Sequence, residues 1–330
     1  MSTPMPTPLV EISDLRVRFR GARTMHAVNG VSLTLQPGEV LGILGESGSG
    51  KSVTLKTLLR LLPESRTEIE GAIRVDGRDV LAMDGAELAG YRGRVASMIF
   101  QDPALALDPV YTVGEQISEA ILCHETIGAR AAMLRALELL ELVRIPSPER
   151  RLKAYPHEMS GGMRQRAMIA LALAARPKLL LADEPTTALD ATVQIQILLL
   201  LRKLQRDLGM GMLFVTHDIG VAVEVSDRLA VMYAGQIVET GTVRDLLRDP
   251  QHPYTRGLLA ANLHGAKKGT RLDAIPGAPP ALYEAPSACS FAPRCPIAVE
   301  TCHSRLPPAV SPAPGRIVRC IRAEAELAIA

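Results

Sequence analysis

The sequence predicts an α/β fold with a mostly parallel, helix-flanked core, and three observations carry that reading. Short apolar runs at 40–44, 178–182, 212–215 and 229–232 have strand length, and helical patterns at 193–208 and 220–225 alternate with the last three. The octapeptide Gly45-Glu46-Ser47-Gly48-Ser49-Gly50-Lys51-Ser52 sits between the first of these runs and a helical stretch from near Val53, the strand–loop–helix setting of a phosphate-binding loop. The chain has 330 residues, about twice the size of a typical domain, with apolar content enough for a large core.

Along the chain, 9–19 and 27–35 read as strands, the turn Gln36-Pro37-Gly38 follows, and 40–44 leads into the octapeptide. The glycines let the backbone curl so that successive N–H groups face an anion. Lys51 is placed to reach the β- and γ-phosphates, and the Ser52 hydroxyl to hold Mg²⁺. These residues predict a nucleoside triphosphate site. Strands follow at 72–75 and 95–100, separated by the turn Asp76-Gly77, with little helix expected before residue 100 apart from the one after Ser52. From 112 to about 175 the pattern is helical, strongly so at 131–143, and Ser160 is the expected N-cap of the helix running through 167–174. A helix start carrying Gly161 and Gly162 admits close approach by an anion. The run 179–182 ends in Asp183-Glu184, and strand alternation is expected to point the two carboxylates in different directions. Asp183 then serves the Mg²⁺ shell and Glu184 polarises a water near the γ-phosphate. Cys123, alone in a helical stretch, is expected to be a buried small hydrophobe.

The segment Met159-Ser160-Gly161-Gly162-Met163-Arg164-Gln165-Arg166 resembles the signature of the ATP-binding cassette (ABC) family, commonly Leu-Ser-Gly-Gly-Gln, with Met159 and Met163 replacing Leu and Gln. Other family markers fall in the family's order. Phe19 matches the aromatic that stacks on adenine, and Gln101 the glutamine that links the Mg²⁺ and water site to the membrane partner. Ala188-Leu189-Asp190 looks like the loop crossing between two ATP sites, and His217 like the switch histidine. The resemblance implies a P-loop NTPase cassette over 1–260, with an antiparallel β subdomain and a helical signature subdomain at about 104–175. It implies catalytic roles for Glu184, His217 and Gln101, Mg²⁺ held by Ser52, Gln101 and Asp183, and nucleotide contacts from Phe19, Asp190 and the octapeptide. ATP would be sandwiched between the loop of one chain and Ser160-Gly161-Gly162 of another.

The segment 261–330, together with Gln251-His252-Pro253-Tyr254-Thr255, looks like the carboxy-terminal extension of oligopeptide and dipeptide importer ATPases. That likeness implies two transmembrane permease subunits, a second ATPase subunit, identical or different, and an extracytoplasmic binding protein. The same subgroup handles nickel, glutathione, opines and sugars, so the cargo is read by analogy. Cys289, Cys295, Cys302 and Cys320 are spaced C-x5-C-x6-C-x17-C, without the close C-x2-4-C pair usual for structural zinc. A [4Fe-4S] cluster, which members of the subgroup carry, stands beside zinc and four unligated thiols as the alternatives. Because these cysteines lie beyond the nucleotide motifs, ATP binding is expected to be independent of them.

A formal net charge of +2 with mixed signs gives no nucleic-acid footprint. No stretch approaches the roughly 20 apolar residues of a membrane span, and residues 1–8 lack a basic segment followed by an apolar run, so a peripheral place on the cytoplasmic face of the inner membrane is expected. A soluble repair or translation ATPase is the rival class. Repair ATPases need long coiled-coil arms and translation factors usually fuse two cassettes, and neither feature is present.

Overall fold

The computed structural model describes residues 7–187, 189–262 and 275–323. The described residues divide into two compact units, the first within 7–9, 35–39 and 75–213, the second within 10–34, 40–74 and 214–323.

In the first unit the strands Ala96–Ile99 and Leu179–Asp183 pair in parallel, Ala96 opposite Leu179 and Ile99 opposite Ala182. All five residues of Leu179–Asp183 are buried, as expected for a parallel strand covered on both faces. The helical stretch resolves into Val113–Leu122, Ala129–Leu142, Pro148–Leu152 and Gly161–Leu173, which pack on one another. Thr112 and Glu115 form a reciprocal capping box at the first of these. A further helix, Gly85–Tyr91, corrects the expectation of little helix before residue 100. Its start was legible, because Asp84 accepts from the Glu87 N–H at 2.8 Å and the Glu87 carboxylate accepts from the Asp84 N–H at 3.0 Å. Cys123 is also corrected: it is exposed, at the C-terminal cap of Val113–Leu122, where the helix stops before its apolar face returns to the core.

In the second unit Met25–Leu35, Val10–Phe19 and Thr67–Val75 lie side by side in that order. The strand Val40–Leu44 pairs in parallel with Arg228–Tyr233, Leu44 opposite Val231. Arg228–Tyr233 then turns through Ala234 and Gly235, both at positive φ, into Gln236–Thr242, a two-residue hairpin of the kind that matches strand twist. Gln236–Thr242 pairs in antiparallel fashion with Ile317–Val318. The parallel core thus acquires an antiparallel margin whose last strand comes from the carboxy-terminal extension, a feature the sequence reading did not include.

The extension is bound to this margin by charge as well. Glu239 is fully buried and accepts from the Gln251 N–H at 2.8 Å, the His252 N–H at 3.0 Å and the Arg316 guanidinium at 3.2 Å. Arg316 also reaches the Asp249 carboxylate at 3.1 Å. Removing one member of a buried pair leaves an uncompensated charge, whereas removing both does not. Arg316→Leu is therefore expected to lower the unfolding free energy by about 3 kcal/mol in urea titration, and Arg316→Leu with Glu239→Gln to recover only part of that loss, because the amide offers one acceptor oxygen to the two backbone N–H groups that the carboxylate serves.

Candidate functional site

The loop Gly45–Ser52 leaves the buried strand Val40–Leu44 and feeds the helix Lys51–Leu58, which begins two residues earlier than the sequence reading placed it. Its turn depends on glycine at both ends. A Cβ at Gly45 would lie 2.2 Å from the Met232 carbonyl oxygen, and Gly50 has φ +102° with the Ala27 carbonyl 2.5 Å from its Cβ position. The hairpin at 234–235 forms the loop's floor: the Gly235 N–H donates to Ser49 O at 2.9 Å, and the Asn29 N–H donates to Gly235 O at 2.8 Å. Lys51 is 4 % exposed, and its ammonium donates to Gly45 O at 2.7 Å, Glu46 O at 2.9 Å and Ser49 Oγ at 3.4 Å. The cation is held inside the curl of its own loop. Phe19, half-buried at the end of its strand, and His217, exposed after Gly211–Thr216, belong to the same unit as the loop.

The other expected residues lie in the first unit. Asp183 is 3 % exposed and ends its strand. Glu184 is half-buried with φ +45°, beyond the end of the strand at Asp183, so strand alternation does not run through both carboxylates. The Thr187 hydroxyl donates to Glu184 Oε2 at 2.9 Å and orients that carboxylate. Gln101 is exposed two residues beyond Ala96–Ile99. Ser160 caps Gly161–Leu173 as expected, accepting from the Met163 N–H at 3.4 Å, and Asp190 caps Ala191–Leu208, accepting from the Val193 N–H at 3.0 Å. These two helix starts meet: a Cβ at Gly162 would come within 2.8 Å of Val193 Cγ1, so a larger residue there would have to displace the valine side chain. Ala188 of the expected crossing loop lies outside the described residues.

Two contacts to the phosphate loop were absent from the sequence reading. The Glu46 N–H donates to the Tyr254 hydroxyl at 2.9 Å, and the Glu46 carboxylate accepts a two-pronged pair from Arg294 at 2.8 and 3.1 Å. Tyr254 and Arg294 are 208 and 248 residues distant from Glu46, and no local pattern in one sequence marks such a pairing. Tyr233, Tyr254 and Phe291 form an aromatic block, with ring centroids 4.6 to 5.4 Å apart. Beside it, burial and then Arg256 push the fully buried His252 down to about 3, so it stands neutral and its Nδ1 accepts from the Tyr254 N–H at 3.1 Å.

Cys289, Cys295, Cys302 and Cys320 line one small cavity together with His252 and Phe291. None is in a disulfide, and the Cys289 N–H donates to Cys302 O at 3.0 Å. Burial pushes the Cys289 and Cys295 thiols up, and the neighbouring cysteines add to the shift. Among the described residues no group of three or more His, Cys, Asp or Glu is arranged to hold a metal ion, and no helix is long and apolar enough to cross a membrane.

Comparison with known proteins agrees with this geometry. Residues 28–187 match the family described as ABC transporter, and residues 238–302 the oligopeptide/dipeptide transporter, C-terminal region. A Brucella melitensis protein carrying the name peptide import ATP-binding protein is 49 % identical over 328 residues, covering 96 % of this chain and 97 % of that protein. The oligopeptide transport ATP-binding protein OppD of Bacillus subtilis is 49 % identical over 305 residues, covering 92 % and 85 %. A solved dimeric ATP-binding cassette in a post-hydrolysis state, bound to ADP and Pi, superposes with a TM-score of 0.64 at 31 % identity, over 71 % of this chain and 99 % of that one. The chain belongs to the ABC transporter ATP-binding proteins, the ATP-hydrolysing cassettes, in the branch that carries the oligopeptide/dipeptide carboxy-terminal region.

Lys51→Ala is expected to weaken Mg·ATP binding by about a hundredfold in equilibrium titration, the scale of two charge-assisted hydrogen bonds lost. The far-ultraviolet circular dichroism of the variant should match that of the parent.

Proposed function

We propose that this chain is the ATP-hydrolysing subunit of an importer for dipeptides or oligopeptides, acting on the cytoplasmic face of the inner membrane. The observation that carries this reading is the presence on one chain of the cassette and the peptide-transporter carboxy-terminal region, matched nearly end to end by a peptide import relative. Two permease subunits form the path, a second ATPase subunit completes the pair, and an extracytoplasmic binding protein delivers cargo.

In this reading the loop Gly45–Ser52 holds the phosphates, with Lys51 exchanging its loop carbonyls for β- and γ-phosphate oxygens. Phe19 stacks on adenine. The family resemblance would give Mg²⁺ to Ser52, Asp183 and Gln101, and the ion would offset phosphate charge. Glu184 polarises the attacking water, with Thr187 fixing the carboxylate and His217 completing the site. The left-handed backbone at Glu184 supports this role, because strain of that kind, on the order of 1–3 kcal/mol, persists where the surrounding fold enforces it and clusters at active sites. Ser160, Gly161 and Gly162 close on the ATP held by the partner chain, aided by Asp190. Closure and release of the pair then drive the permeases.

Glu184→Gln is expected to retain ATP binding and lose hydrolysis by about a hundredfold or more, with ATP-dependent dimers accumulating in size-exclusion chromatography. Turnover at the parental rate would place the base elsewhere. Peptide uptake by vesicles reconstituted with the permeases, the second ATPase and the binding protein tests the cargo, and uptake of nickel or opines but not peptides would reassign it.

The four cysteines are proposed to hold a [4Fe-4S] cluster. Their convergence on one cavity supports this. A four-iron cluster takes one thiolate per iron, so its ligands stand apart around it. Anaerobically purified protein should be brown with about four iron atoms per chain. Cys289→Ser, Cys295→Ser, Cys302→Ser or Cys320→Ser should bleach it, and Cys123→Ser should not. Stoichiometric zinc without iron would overturn the assignment.

A further inference from the structure

Glu46 places a negative charge in the phosphate loop. It is the second residue of a loop whose work is to attract a polyanion, yet it brings a carboxylate to that loop. Its own carbonyl oxygen is 2.9 Å from the Lys51 ammonium, so the same residue carries a negative group within a side chain's reach of the cation the phosphates need. A carboxylate free to turn inward would pair with Lys51 and repel the phosphates.

The structure shows what prevents this. Arg294 grips both carboxylate oxygens, at 2.8 and 3.1 Å, in the two-pronged geometry that only a guanidinium provides. Arg294 is itself fixed on every side: its Nε donates to Pro276 O at 2.8 Å, a terminal nitrogen reaches the Tyr233 hydroxyl at 3.3 Å, and its carbon lies 5.7 Å from the Tyr233 ring centroid. The arginine side chain is 6 % exposed and the glutamate 27 %, so water screens the pair only weakly. The hydrogen bond to Glu46 holds the guanidinium firmly protonated. The Tyr254 hydroxyl takes the Glu46 N–H as well, so both the backbone and the side chain of this residue are anchored outward. Arg294 closes the turn Ala292–Arg294 that runs directly into Cys295, so one turn lines the thiol cavity and clamps the phosphate loop.

We propose that Arg294 is a positioning residue for nucleotide binding: it withdraws and neutralises the Glu46 carboxylate, so the carboxy-terminal extension sets the affinity of the phosphate loop. This rests on the reading of Gly45–Ser52 as the ATP loop. The expectation that ATP binding is independent of the four cysteines is a separate matter, because the clamp is Arg294, the residue beside Cys295.

The test is equilibrium binding of a non-hydrolysable ATP analogue with Mg²⁺ to the full chain, with thermal unfolding followed in parallel. Arg294→Met should weaken binding about tenfold, within the usual range for coupling between sites. Glu46→Gln should bind as tightly as the parent or more tightly, since it removes the charge and leaves the arginine. The double variant Glu46→Gln with Arg294→Met should return to within about twofold of the parent. A brace that was only structural would give the opposite order, with each single change weakening binding and the double change weakening it further. Arg294→Met binding like the parent, or a double variant as weak as Arg294→Met, would overturn the inference. If Arg294→Met does not fold, Glu46→Gln alone decides: a tenfold weaker complex overturns the proposal, and an equal or tighter one supports it. Failure of the unsubstituted chain to bind the analogue would instead refute the ATP-loop reading, and this inference with it.

Discussion

Among the described glycines the closest approach is that of Gly45 to the Met232 carbonyl, where any side chain's Cβ would lie 2.2 Å from the oxygen. Only a glycine can turn out of Val40–Leu44 at that height, and the adjoining strand must end in a hairpin tight enough to receive it. The hairpin at 234–235 meets that need, with Gly235 donating to Ser49 and Asn29 donating back to Gly235. The floor of the phosphate loop is therefore made by chain nearly 190 residues away, and its geometry is set by backbone contacts rather than by side-chain choice. The cation at Lys51, the clamp at Glu46 and the helix Lys51–Leu58 all take their positions from that floor.

Much of this was legible in the residues. The parallel strands, the loop, the cap at Ser160 and the helices flanking the core follow from periodicity and turn chemistry, which are local properties. The helix Gly85–Tyr91 was equally local and was overlooked, although Asp84 and Glu87 mark its start. The strand does not continue through Glu184, where a positive φ follows its last residue and no side-chain pattern announces it. Cys123 is exposed because it is the cap that follows Val113–Leu122, and a helical pattern does not say at which residue the helix stops.

What one sequence does not contain is pairing between distant segments. The register of Ile317–Val318 on Gln236–Thr242, the contact of Tyr254 with Glu46 and the clamp by Arg294 each join residues many tens of positions apart. Each is also chemically ordinary on its own: two β-branched residues, a tyrosine and an arginine have many uses. Their significance appears only when the partner is known, and in two of the three cases the partner is the second residue of the phosphate loop.

The buried carboxylate of Glu239 has a bearing on how such chains exchange parts. Glu239 lies in Gln236–Thr242, where the stretch matched by the carboxy-terminal region begins, and takes its compensating charge from Arg316, 77 residues further on. A recombinant joined anywhere between those two positions would inherit an acidic group in the interior with nothing to answer it, unless the donor also carried a base at the matching height. Compatibility between the halves is thus policed by electrostatics in the fold, before any question of cargo or partner arises.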